Sequence, residues 1–78
     1  MKSMTCKQLG GACDMEFRAN SFEEIAELSQ QHGMTMHEQQ DPAHIEAMRE
    51  MGKLMQNPEA MGKWLNSKRL EFEAQADI

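Results

Sequence analysis

Two cysteines and two histidines in the first half of the chain constrain the fold more than any other feature. Cys6, Cys13, His32 and His37 stand in the order C-x6-C-x18-H-x4-H. Thiolate and imidazole are the donors that zinc prefers, and a tetrahedral site needs four of them to converge. The ligand order and the histidine gap match a zinc finger. The other two gaps are longer than the finger's short Cys–Cys step and its reach of about twelve residues to the first histidine. The pattern predicts a small metal-stabilised module. Spacing leaves three readings of the cysteines open: metal thiolates, buried reduced thiols beside a hydrogen-bonded histidine, or a disulfide.

A chain of 78 residues has room for a single domain, 1–78. At this size burial removes only about 60% of the unfolded surface from water, so a hydrophobic core alone gives marginal stability. Structural zinc can add on the order of 10 kcal/mol. A packed helical core or a second copy of the chain is another source. The formal net charge of −5 opposes non-specific attraction to nucleic acid or to anionic membranes. No apolar run approaches the roughly 20 residues of a membrane span. Met1-Lys2-Ser3-Met4 leads into polar residues, so we expect no signal peptide and a cytoplasmic, prokaryotic setting that keeps thiols reduced.

Residues 4–19 read as a β-hairpin. Cys13, Met15, Phe17 and Ala19 alternate with Asp14, Glu16 and Arg18, a period of two. Gly10-Gly11 supplies the reversal. Residues 21–32 read as a helix opened by a capping box, Ser21 with Glu24. Phe22, Ile25, Ala26, Leu28 and His32 share its inner stripe. Gly33 is expected to stop the helix, which leaves His37 in a loop. Asp41-Pro42 and Asn57-Pro58 each mark a helix start. The second helix carries Ile45, Met48, Gly52 and Met55 on one face. The third carries Met61, Trp64, Leu65 and Phe72, with Leu70 turned away. The short link between them predicts an antiparallel helical hairpin over 41–74. The end of the chain, 74–78, is expected to fray.

The fourth ligand has several candidates. His37 fits the finger spacing if the chain folds back after Gly33. His44 falls in the first turn of the second helix, where the positive helix terminus opposes its protonation; its plain role is a histidine paired with Asp41. Glu27 stands five residues before His32, about 140° around the helix. Water is the remaining choice. Apart from the fourth ligand, the nine methionines invite a copper reading, because Met34-x-Met36-His37 and Met48-x2-Met51-x3-Met55 offer soft thioether ligands. Methionine also fills irregular cores.

Nucleic-acid recognition has little support. Helix 21–32 has no basic residue and carries Glu23, Glu24 and Glu27, whereas a reading helix needs Arg or Lys near its start. There is no C-x-x-C motif, phosphate loop or triad signature, so we expect no enzyme.

These residues resemble a small prokaryotic family, domain of unknown function 1059. The resemblance is carried by Met4-Thr5-Cys6-Lys7-Gln8-Leu9-Gly10-Gly11-Ala12-Cys13-Asp14, by Phe22-Glu23-Glu24-Ile25-Ala26-Glu27-Leu28 and by His32-Gly33-Met34. To the longer members it runs from Met1 to about residue 75 of this chain. Shorter members carry a helix histidine where this chain has Glu27. The resemblance therefore implies Cys6, Cys13 and His32 as ligands and assigns no activity.

The expected architecture is α+β. An N-terminal β-hairpin and helix, finger-like and metal-binding over 1–37, precede a C-terminal helical hairpin. The expected function is a non-enzymatic module with structural zinc on Cys6, Cys13, His32 and His37, acting on a protein partner or a second copy of itself. The alternative is a thiol-based redox or stress sensor that uses Cys6 and Cys13 without metal.

Overall fold

The computed structural model describes residues 1–76. Two antiparallel strands, β1 (Lys2–Thr5) and β2 (Glu16–Ala19), form the expected hairpin. Met4 lies opposite Phe17 and Lys2 opposite Ala19. The alternation is real but shorter than its sequence pattern: Phe17 and Ala19 are buried, Glu16 and Arg18 face solvent, and Met15 is already exposed. Cys13 therefore sits in the loop rather than on the strand.

That loop is not a two-residue reversal. A short 3-10 turn, Lys7–Leu9, follows β1 and ends at Gly10, whose φ of +88° is left-handed. Glycine reaches that region without steric cost. The Cys6 carbonyl accepts from the Leu9 and Gly11 amides at 3.1 and 2.8 Å. The Cys6 N–H donates to the Met15 carbonyl and the Lys7 N–H to the Cys13 carbonyl, at 2.8 and 3.0 Å. These bonds curl the loop into a knuckle with both cysteines on it.

Three helices follow: α1 (Phe22–Glu38), α2 (Pro42–Met55) and α3 (Pro58–Glu73). Each start is as the sequence predicts. Ser21 accepts from the Glu24 amide, Asp41 from the His44 amide, and Asn57 from the Glu59 and Ala60 amides. The end of α1 differs: the helix runs straight through Gly33. Met48 places its methyl carbon 3.1 Å from where a Cβ would sit on Gly33, so this glycine serves the α1–α2 crossing. Gln40, at φ +57°, ends the helix instead. The Asp41 amide bonds the Met36 carbonyl and the Gln40 amide bonds the His37 carbonyl, the paired closure of a Schellman motif.

The core lies between the hairpin and the helices. It gathers Met4, Leu9, Phe17, Phe22, Ile25 and Phe72, with Cys6 and Ala19 beside them. Phe72 reaches back from α3 to meet Phe22 edge to face, ring centres 6.1 Å apart. Arg69 pairs with Glu23 at 2.8 Å and covers the Phe22 ring. The expected inner face of α3 is only partly inner. Phe72 is buried, Trp64 half-buried, and Leu65 and Leu70 are exposed. The shortest extent of the molecule is 15 Å, which leaves little interior for a third helix. Of the expected frayed end, 77–78 lie outside the described residues. Among the described residues no helix is long and apolar enough to cross a membrane.

Candidate metal centre

Cys6 leaves the end of β1, Cys13 sits at the far side of the knuckle, His32 projects from α1, and His44 projects from the first turn of α2. One ligand atom from each of these four residues lies within 4.8 Å of every other. Cys6 Sγ is 3.7 Å from His44 Nε2, and Cys13 Sγ is 3.3 Å from His32 Nε2. Zinc bonds of about 2.3 Å to sulfur and 2.0–2.1 Å to nitrogen, at the tetrahedral angle, separate the two atoms by about 3.6 Å. The observed distances bracket that value. The donors fit a single ion.

The fold holds three of the donors by separate means. Cys6 is fixed by the amides that bond its carbonyl, and Gly11 leaves space for its sulfur: a Cβ on Gly11 would overlap Cys6 Sγ. His32 packs edge-on to Phe17 and to His44, with ring centres 5.6 and 5.2 Å apart. Cys6 and His44 are buried, while Cys13 and His32 are half-buried. Asp41 Oδ2 accepts from the His44 backbone N–H at 3.0 Å and from His44 Nδ1 at 2.5 Å. A proton on Nδ1 leaves the Nε2 lone pair free for a metal, and the carboxylate locks the ring's direction. Such carboxylate–histidine pairs typically support metal-ligating imidazoles.

Electrostatics follow from these contacts. Burial pushes the Cys6 thiol above its ordinary pKa. The Met15 backbone, with help from His44, holds the Cys13 thiol below its own. The Asp41 hydrogen bond raises His44, and His44 in turn lowers Asp41. The helix terminus opposes His44 protonation, but the nearer and fully charged carboxylate outweighs that partial charge.

Of the sequence-predicted ligands, Cys6, Cys13 and His32 come together and His37 does not join them. The continued helix carries His37 five residues past His32, about 140° around α1, onto an exposed surface. Glu27 is turned away by the same angle on the other side, and it too is exposed. His44 takes the fourth place. Its signal was present in the sequence as Asp41-Pro42-Ala43-His44, a helix cap followed three residues later by an imidazole that can reach the same carboxylate. The finger-like spacing drew attention to His37 instead. Cys6 and Cys13 are unbridged.

Two sulfur and two nitrogen donors are the number and kind that can fill a tetrahedral shell. Structural zinc sites have this composition. No family model matches the chain, and no curated protein and no solved structure matches it.

Proposed function

We propose that this protein is a small zinc-stabilised module that acts through protein contacts and not through catalysis. The observation that carries the reading is the convergence of Cys6, Cys13, His32 and His44, with Asp41 orienting the last of them. An S2N2 donor set favours zinc among the common divalent ions. The site joins β1, the knuckle, α1 and α2, so an ion there ties together the elements of a core too small to be secure alone. The resemblance to the family named above agrees with this architecture and adds no activity. The reduced, cytoplasmic setting belongs to the same reading, because zinc thiolates need it.

Elemental analysis of tag-free protein, purified under reducing conditions without added metal, tests this directly when paired with a thiol count. The expected result is about one zinc per chain, with both thiols protected until a chelator is added. No metal and two freely titrating thiols would sink the proposal.

A second reading draws on the two unbridged sulfurs lying within 4.8 Å of each other. Cys13 is half-exposed and its thiol is shifted toward the thiolate, as in redox-sensing cysteines. That sensor would form a Cys6–Cys13 disulfide with peroxide and release it with a dithiol. Protein free of metal as purified, cycling between these states without unfolding, would favour it.

A further inference from the structure

A groove of about 370 Å³ opens between α1, α2 and the 3-10 turn. Met34 lines it from α1, and Met48, Met51 and Met55 line it from α2. The same groove is lined by Cys6, His32 and His44. Three of the four metal donors therefore share one cavity with four thioethers.

The methionines are graded along it. Met48 and Met51 are half-buried, while Met34 and Met55 are 59% and 58% exposed. Met48 and Met51 pack on glycines: the Met48 methyl lies 3.1 Å from a Cβ position on Gly33, and the Met51 sulfur 2.9 Å from one on Gly10. Filling a core accounts for this inner pair. It does not account for the outer pair, which fills nothing. Among the described residues no lysine or arginine lines the groove.

Thioether sulfur is a neutral, soft donor. It binds copper(I) well and zinc, magnesium or calcium poorly. We infer that the methionine-walled groove is the entrance by which a monovalent soft cation, copper(I) or its analogue silver(I), reaches the Cys/His centre and displaces zinc. The inference rests on the zinc reading above and names the ion to which that centre responds. The exchange is balanced without electron transfer. Copper(I) passes from thioether to thioether, bonds form from it to the Cys6 and Cys13 thiolates, the zinc–sulfur bonds and the zinc–nitrogen bonds to His32 and His44 break, and zinc(II) leaves. The centre's total charge falls by one.

The test uses the zinc-loaded full chain under anaerobic conditions, with copper(I) supplied as its acetonitrile complex or with silver(I). A zinc indicator follows release. EDTA, a hard chelator that gains nothing from thioethers, is the parallel reagent. The main variant is Met34→Leu with Met55→Leu, because both side chains are exposed and their loss leaves the fold intact. The inner pair, Met48→Leu with Met51→Leu, is the second variant. Both should slow release by copper(I) or silver(I) by roughly tenfold or more, because leucine keeps the bulk of methionine but has no donor atom. Release to EDTA should stay unchanged in the outer variant. Equal rates with the soft ions in parent and outer variant would overturn the entrance. So would a change that EDTA shares, since that reports altered packing. A chain that holds no zinc at all would instead overturn the metal centre, and the inference with it.

Discussion

At the scale of single residues, the molecule turns on Asp41. Its carboxylate caps α2 and holds the His44 ring, so one side chain both starts a helix and aims a ligand. The two tasks separate in Asp41→Asn. Asparagine caps a helix as well as aspartate does, but it lacks the charge that supports the imidazole. Zinc affinity should fall about 10- to 100-fold while the helix stays intact, as measured by competition with a chromophoric chelator and by circular dichroism. Unchanged affinity would remove Asp41 from the site. The histidines provide a sharper contrast. His44→Ala removes a donor and should drop the zinc content of protein purified without added metal, whereas His37→Ala alters an exposed side chain and should leave the content at the parental level. The opposite pattern would restore the finger spacing as the true ligand set.

At the scale of elements, the decisive fact is the length of α1. Gly33 follows His32, and a glycine after an apolar stripe is an ordinary helix stop. Here it lies inside the helix with no positive φ, and the left-handed position falls at Gln40 instead. The two descriptions differ in what Gly33→Ala does. At a left-handed stop, alanine would be strained and destabilising. Inside a helix it gains about 1 kcal/mol of propensity over glycine. The nearest atom is the methyl end of a flexible methionine, 3.1 Å from the added carbon, which can yield. Gly33→Ala should therefore raise the unfolding free energy by about 0.5–1 kcal/mol, read from urea titration; a clear loss would contradict the continuous helix. The extension also sets the tight α1–α2 turn. Gln40 and Asp41 close it with bonds back to His37 and Met36, and this returns His44 to the level of His32.

At the scale of the whole molecule, metal and pH act together. In the metal-free chain the Asp41 carboxylate raises the pKa of His44, so this contact contributes most below the unfolded histidine pKa. It is lost as pH rises through the raised folded value. Asp41 is shifted the other way, so its contribution is present above its unfolded pKa and is lost as pH falls through the lowered one. Metal-free protein should be most stable between those two titrations. On the proposed zinc reading, the bound ion reverses the alkaline limb. It needs Nε2 free of its proton and both sulfurs as thiolates, and Cys6 is harder than usual to ionise because it is buried. The gap in melting temperature between zinc-loaded and chelated protein should thus widen as pH rises through the histidine range, checked by paired thermal melts. A gap independent of pH would argue against ionisable ligands. Chelation acts on a slab 15 Å thick, with Phe72 as the only fully buried side chain of α3, so little apolar burial remains to compensate.

The sequence by itself determined the order of elements. Ser21, Asp41 and Asn57 cap three helices, and the alternation through Phe17 and Ala19 makes a strand, because these signals depend on neighbours a few residues away. It also pointed to three of the four candidate donors: Cys6, Cys13 and His32 are chemically distinctive, and His32 falls on the inner stripe of its helix, whereas both cysteines lie on the knuckle outside the strands. Tertiary structure decided the rest. Whether Gly33 ends a helix or admits a crossing partner depends on Met48, fifteen positions later in the chain. Whether His37 or His44 completes the site depends on that outcome, because α1 must run on and turn tightly before α2 can bring an imidazole back. Whether α3 buries one face or a single phenylalanine depends on how thick the assembled layer is. Each of these is settled by packing between distant segments, where energies of contact outweigh the local preferences that a linear pattern records.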